Sequence, residues 1–262
     1  MMQMLTRRMV PLTALVVLTG LIWLGTVTLN DYLITLVSII LINVMLAVSL
    51  NLTNGLTGMF SLGHPAFMTI GGYISAILTY PAMRKAYMMP DLPEFIATTE
   101  LGLLPAILAG GGIAALFAIV VGYPVLRLRG HYLAVATLGM IIIVRTLVNN
   151  MDGYTRGGLG LNGLPLLTNI WWVLGWVVVT VFICWRIKHS SFGRSLMAIR
   201  ENEMAAECMG IAAGAQKLTI FTIGAFFAGV AGGLMAHLIS VITPGSYSIV
   251  LAFNLVLIIV VG

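Results

Sequence analysis

The chain has 262 residues, of which 60% are hydrophobic and only 8% are charged. A soluble globular domain carries about 25% charged residues, so the composition excludes that class. It also excludes a disordered chain, because disordered chains are poor in apolar residues. At about 20 residues per helical span, the apolar content suffices for roughly seven to eight transmembrane helices. A transmembrane β-barrel is disfavoured because its strands alternate apolar and polar residues. We therefore predict an all-α, polytopic transmembrane helical bundle.

The net charge of +5 also has a membrane explanation. Basic residues accumulate in the cytoplasmic loops of membrane proteins, and no run of Lys and Arg is long enough to indicate a nucleic-acid surface. The two cysteines, Cys184 and Cys208, lack the spacing of a metal site or a redox motif. We expect no metal, no other cofactor and no nucleic acid to bind, and we expect membrane lipid to surround the chain.

The first apolar run, residues 10–29, follows Arg7 and Arg8. It has the position of a signal peptide, but it is long for one and no small-residue cleavage site follows it. We predict a retained first span. Residues 32–83 carry no charge and supply two spans around an irregular segment, 51–65, where Gly, Asn and a His-Pro step disfavour helix. Irregular backbone at membrane depth requires satisfaction by protein or water and often lies at transport pathways.

Five further spans complete a prediction of eight, in a single permease domain covering residues 1–262 with both ends in the cytoplasm. This topology is supported by charge, because it places nine Lys and Arg residues inside, three outside and one within a span. The remaining predicted spans cover 101–126, 132–149, 170–185, 218–240 and the run from residue 249.

Arg145 is the only ionic residue within a predicted span. One explanation is that its side chain extends to the outer headgroups; the other is that it faces a cavity near a substrate carboxylate. No acidic residue lies in any predicted span, no phosphate-binding loop motif is present and the four histidines are far apart. We therefore predict a chain without catalytic activity. The lack of carboxylates within the predicted spans also weakens the hypothesis of an ion-coupled transporter, without excluding it.

Residues 195–211 predict a short helix on the cytoplasmic side that ends at Gly210. Arg200, Glu203 and Glu207 share one face by their three- and four-residue spacing. Such a helix either lies on lipid headgroups or docks a cytoplasmic protein, and its three acids favour docking because they suit anionic lipid poorly. Its apolar stripe and small residues are Met197, Met204, Ala205, Ala206, Cys208 and Ile211.

Small residues recur every four positions in the span 218–240 and cluster at Gly110–Gly112. Residues of this kind let neighbouring helices approach closely in lipid. We expect a tightly packed bundle around them. The two stripes are Ala225, Gly229 and Gly233, and Ala228, Gly232 and Ala236.

Four blocks of sequence resemble the permeases of branched-chain amino-acid ABC importers, specifically the LivM-type inner-membrane subunit. Two departures from the family pattern stand out: Met59 replaces a glutamine, and the chain ends at Gly262 where family members continue through at least one further span. The blocks are GMFSLGHPAFMTIGGY at 58–73, LRLRGHYLAVATLG at 126–139, GRSLMAIRENEMAAECMGI at 193–211 and ITPGSYS at 242–248.

The resemblance implies a permease subunit of the bacterial inner membrane that moves branched-chain or related amino acids into the cytoplasm. Implied partners are a homologous permease, two ATP-binding subunits that hydrolyse ATP, and an extracytoplasmic substrate-binding protein. Urea or amide transport by a related permease, an ATP-independent secondary transporter and a membrane scaffold remain alternatives.

The resemblance also implies two groups of functional residues. The segment 191–212 is expected to couple to the ATPase through Arg200, Glu201, Glu203, Ala205, Ala206, Glu207 and Gly210. The first block is expected to line or brace the translocation pathway, to which we assign Asn51, Asn54, Ser61, His64, Thr137 and Arg145.

Overall fold

The computed structural model describes residues 30–128 and 130–261. The predicted first span, Arg129 and Gly262 lie outside the described residues. The described chain is mostly helical, with one 3₁₀ turn (Gly157–Leu159) and two short strands, β1 (Leu161–Asn162) and β2 (Val241–Ile242). The helices are α1 (Asp31–Thr57), α2 (His64–Thr79), α3 (Ala82–Met88), α4 (Glu94–Ala97), α5 (Leu103–Val125), α6 (His131–Asn150), α7 (Asp152–Thr155), α8 (Ile170–Lys188), α9 (Ser191–Glu201), α10 (Glu203–Cys208), α11 (Ala213–Ile239) and α12 (Ile249–Val261).

Five of these helices are long and apolar enough to cross a membrane: α1, α5, α6, α8 and α11. The bent pair α2 and α3 makes a sixth if it is counted as one span, and α12 is a shorter apolar helix. The prediction of an all-α polytopic bundle is confirmed.

The third predicted span ends earlier than expected. Helix α2 stops at Thr79 and the chain bends by 118° into α3, instead of continuing to Met83. The cause is Pro81, because a proline disfavours helical geometry in the residue before it, and Tyr80 is extended at φ −65° and ψ 138°.

The irregular segment is shorter than predicted. Helix α1 continues through Asn51 and Asn54 to Thr57 and ends on Gly58, whose φ of 69° is the left-handed conformation that glycine adopts at helix ends. Only residues 58–63 separate α1 from α2. Both asparagines are therefore helical residues near the C-terminal end of α1.

Small residues bring α2, α5 and α11 into close contact at the centre of the bundle. A Cβ added at Gly229 of α11 would lie 2.7 Å from the Cβ of Ala114 in α5, and one at Gly110 would lie 2.5 Å from the carbonyl oxygen of Gly71 in α2. The packing predicted from these stripes is confirmed. Gly112 is an exception, because an added Cβ would meet no described atom within 4 Å.

At one end of the bundle, which we call the β-sheet end, backbone hydrogen bonds join the segment after α7 to the segment after α11. Strands β1 and β2 pair antiparallel, with Leu161 opposite Ile242. The Tyr80 hydroxyl donates to the carbonyl of Asn162 at 2.6 Å, which attaches the end of α2 to β1. At the opposite end, α9 and α10 pack across the C-terminus of α1 and the turn that enters α6. We call this the α9–α10 end.

Candidate functional site

The segment predicted as one short helix is two helices in the structure. Asn202, with φ −157° and ψ 107°, is extended and separates α9 from α10. Its side-chain oxygen accepts a hydrogen bond from the backbone N–H of Ala205 at 3.1 Å and so caps α10. The prediction of a single helix over 195–211 is therefore wrong, because an asparagine before Glu203 starts a new helix.

An apolar cluster anchors this pair of helices to the bundle. Leu196 and Ile199 of α9 and Ala206 of α10 are buried against residues from other parts of the chain. Met59, which stands where the family pattern has a glutamine, is buried in the same cluster. The contacting residues from α1, α6, α8 and α11 are Leu52, Leu56, Leu133, Cys184, Ala213 and Ile220.

The break at Asn202 also divides the charges that were predicted to share a face. Arg200 lies on α9 and turns toward α1, where its Nη1 donates to the carbonyl of Gly55 at 2.8 Å. Glu203 lies on α10 and forms an ion pair with the Nζ of Lys217 at 2.7 Å. Glu207 remains exposed. Of the three, Glu207 is the one whose charge is directed away from the bundle.

The outward surface of α10 is apolar with few charges. Met204 is 70% exposed and Met209 is 83% exposed. Ala205 and Glu207 are exposed beside them, whereas Ala206 faces the bundle. The remaining predicted coupling residues, Glu201 and Gly210, are also exposed. Exposed methionines beside an alanine form a flexible, apolar surface of the kind that protein partners bind.

Three of the residues predicted for the pathway, Asn54, Ser61 and Thr137, form hydrogen bonds that brace the irregular segment 58–63. The side chain of Asn54 makes two hydrogen bonds to the backbone of Ser61. Its Nδ2 donates to the Ser61 carbonyl at 3.2 Å, and its Oδ1 accepts from the Ser61 N–H at 3.1 Å. The next N–H, that of Leu62, donates to the hydroxyl of Thr137 in α6 at 3.0 Å. Side chains from two helices therefore supply the partners that helical hydrogen bonds would otherwise provide.

His64 begins α2 directly after this segment. It is 1% exposed, and neither ring nitrogen has a hydrogen-bond partner within the described ranges. Its ring packs edge-on against Phe67, with the centroids 6.5 Å apart. Buried polar atoms are nearly always paired, so His64 departs from the usual pattern.

Two predicted pathway residues lie outside this network. Asn51 is exposed on α1, and Arg145 is exposed on α6. An added Cβ at Gly245 would lie 3.9 Å from the guanidinium of Arg145, which places this arginine beside the turn after β2. The structure thus brings together Asn54, Ser61 and Thr137 and leaves Arg145 on the bundle surface.

An open pocket of about 570 Å³ lies at the α9–α10 end. The end of α1 and the residues that follow it, 57–60, form one wall, and Arg200 to Glu203 form another. Of the two groups of predicted residues, only the coupling group lines this pocket. Sequence reasoning had assigned no role to Asn202, Lys217 or Gly55. An Asn-Glu pair at the start of a helix was a detectable capping signal for Asn202, whereas the other two act through contacts between distant parts of the chain. Among the described residues, no group of three His, Cys, Asp or Glu could hold a metal ion.

Residues 32–262 match the family described as branched-chain amino acid transport system, permease component. The chain belongs to this family. The match includes α1 to α12, and so it contains the irregular segment and the α9–α10 pair. The four sequence blocks that carry the resemblance also lie within it.

Curated members of the family include two kinds of permease. The chain is 30% identical over 263 residues to the high-affinity branched-chain amino acid transport system permease protein LivM of Escherichia coli (strain K12), covering 87% of this chain and 58% of that protein. A LivM of Salmonella typhimurium is 30% identical over 85% of this chain and 56% of its own length. LivH of Salmonella typhimurium is 25% identical over 76% of this chain and 68% of its own. The chain thus spans less than two thirds of these LivM relatives. No solved structure matches.

Proposed function

We propose that the protein is the transmembrane permease subunit of an ATP-driven importer that carries branched-chain amino acids into the cytoplasm of a bacterium. The observation that carries the proposal is the family match over residues 32–262, which includes every described helix. The polytopic architecture and the relationship to LivM and LivH support it further. In this proposal the protein lies in the inner membrane with its N-terminus in the cytoplasm, and the α9–α10 end faces the cytoplasm.

The chain moves substrate without hydrolysing ATP, so energy must come from a partner. The exposed surface of α10, with Met204, Ala205 and Glu207, is the surface that we assign to the ATP-binding subunit. Its support is geometric: α9 and Ala206 fix the helix to the bundle, while the opposite face is left exposed. A displacement of α10 by a partner is therefore passed to the bundle through buried contacts rather than lost in a flexible loop.

The remaining partners are inferred from the relatives. Because both LivM and LivH resemble this chain, a homologous permease is the expected second half of the membrane unit, with one ATP-binding subunit for each half. A substrate-binding protein on the outer side would deliver the amino acid to the β-sheet end. We place the substrate pathway beside the braced segment 58–63, close to the pocket at the α9–α10 end.

Charge reversal on α10 tests the ATPase assignment. We expect Glu207→Arg to reduce co-purification of the ATP-binding subunits and to reduce uptake in parallel. Glu94→Arg is the matched control, because Glu94 is an exposed acid on α4 in the interval that the topology places outside. Unchanged association together with unchanged uptake by the Glu207 variant would refute the docking role of α10.

Transport by the assembled importer in proteoliposomes tests the substrate and the energy source. We expect uptake of radiolabelled leucine, isoleucine or valine that requires ATP inside and the binding protein outside. Excess urea or acetamide should not compete. Uptake that persists without ATP but stops when ionophores dissipate the ion gradient would indicate a secondary transporter, and competition by urea would indicate a related amide permease.

A further inference from the structure

Arg200 provides a direct link between the α9–α10 pair and the membrane part of the chain. Its guanidinium donates to the carbonyl of Gly55, which lies in the last turn of α1. The last four carbonyls of a helix have no partner within the helix, so Arg200 fills a position that α1 leaves open. The stem of Arg200 also covers the helix end, since an added Cβ at Gly58 would lie 3.1 Å from its Cγ.

The residue before Gly55 continues the link. Asn54 binds both backbone groups of Ser61, and the adjacent Leu62 is bound by Thr137. Movement of the α1 end by Arg200 therefore moves the side chain that holds the irregular segment. The side chains of Arg200 and Asn54, with the peptide unit between Asn54 and Gly55, connect the α9–α10 pair to the segment 58–63. No loop intervenes between them.

The link ends next to a buried histidine. His64 comes directly after the irregular segment, is buried, and has both ring nitrogens unpaired within the described part of the chain. An unpaired buried polar group destabilises the conformation that contains it.

We infer that Arg200 is a positioning residue that transmits displacement of the α9–α10 pair to the segment 58–63 through Gly55 and Asn54. This inference rests on the proposed function, because it supposes that a partner displaces α10. It assigns Arg200 to contacts within the chain, whereas the outward residues Met204 and Glu207 contact the partner. The arginine is thus required for coupling and not for assembly.

The test compares uptake with ATP hydrolysis in the assembled importer, carrying the full chain. We expect Arg200→Ala and Asn54→Ala to co-purify with the ATP-binding subunits as the unmodified chain does. Uptake per ATP hydrolysed should fall about tenfold, within the roughly 5- to 150-fold range of couplings between two sites. Arg200→Lys should recover most of the coupling, because one carbonyl requires only one donor. Arg194→Ala is the control, since Arg194 is exposed on the same helix and contacts Ser191.

A structural readout accompanies the transport assay. Hydrogen exchange of peptides covering residues 55–63 should change when ATP is added to the unmodified importer, and this change should disappear with Arg200→Ala but persist with Arg194→Ala. If Arg200→Ala fails to fold, Asn54→Ala and Arg200→Lys decide the question.

The outcomes separate this inference from the proposed function. If the unmodified chain binds no ATP-binding subunit, the proposed function fails before any variant is compared. If it assembles and transports, but Arg200→Ala couples as Arg194→Ala does, the inference alone is overturned. Loss of ATPase association with Arg200→Ala also overturns it, because the arginine would then act at the partner surface.

Discussion

The hydroxyl of Thr79 and the Nε2 of His237 lie 2.6 Å apart in the interior of the bundle, joining α2 to α11 across 158 residues of sequence. The other ring nitrogen of His237 faces the carbonyl of Gly233 at 2.7 Å. Since a carbonyl can only accept, Nδ1 of the neutral ring carries the proton and Nε2 accepts from Thr79. This buried polar contact thus adds a specific link between α2 and α11 to their apolar packing.

Replacing Thr79 by Val should destabilise the bundle. The substitution keeps the shape of the side chain but leaves Nε2 of His237 buried without a donor, at a cost of about 1–3 kcal/mol. The measurement is the thermal midpoint of the purified protein in detergent. Thr219→Val is the control, because Thr219 is exposed and its hydroxyl binds only the carbonyl of Ala215 in its own helix. Equal midpoints for the two variants would show that the contact with His237 contributes no stability.

Two glycines in one turn of α5 should respond oppositely to alanine. Gly110→Ala places a methyl group against the carbonyl of Gly71, 2.5 Å from the added carbon, and should cost about 1–3 kcal/mol through overpacking. Gly112→Ala meets no described atom within 4 Å and should be neutral or stabilising by up to about 1 kcal/mol, because alanine favours helix. Thermal midpoints in detergent compare the pair. A Gly112 variant that is the less stable of the two would contradict the packing described for α5.

The sequence was sufficient to predict the elements whose cause is local. Continuous apolar runs predicted the long helices, and four-residue spacing predicted that Gly229 and Gly233 would lie at helix contacts. Wrong predictions arose where one residue changes backbone direction. Pro81 ends α2 early, and Asn202 divides the segment 195–211 into two helices, although its capping signal was present in the sequence.

Contacts between distant residues could not be predicted from spacing. Arg200 and Gly55 are separated by 145 positions, so no local spacing indicates their contact. The ion pair of Glu203 with Lys217 likewise joins two separate helices. His64 was assigned to the pathway from a sequence block and Asn54 from its position beside that block. Only the fold shows that Asn54 binds the backbone of Ser61, while His64 lacks a partner within residues 30–128 and 130–261.

Removing the Tyr80 hydroxyl should loosen the β-sheet end. Tyr80 is fully buried, and its hydroxyl donates to the carbonyl of Asn162 at 2.6 Å. Tyr80→Phe leaves that carbonyl without this donor and should lower stability by about 1 kcal/mol. Hydrogen exchange in peptides around β1 should rise. Tyr87→Phe provides the comparison, since Tyr87 is 88% exposed. Unaltered exchange around β1 in the Tyr80 variant would show that strand pairing holds this end without the tyrosine.

Exchanging the two charges of the ion pair between Glu203 and Lys217 should preserve the contact between α10 and α11. Both side chains are partly buried, at 26% and 12% exposure, so removing one partner leaves the other charge poorly solvated and destabilises this contact. Lys217→Glu places two acids together and should increase proteolytic cleavage within residues 202–212. The double variant Glu203→Lys, Lys217→Glu should restore resistance, because it reverses both charges at the same distance. Glu207→Lys with Lys217→Glu is the control pair, since Glu207 is exposed and is not an ion-pair partner of Lys217. Equal recovery in the two double variants would mean that net charge, rather than the specific contact of Glu203 with Lys217, attaches α10 to α11.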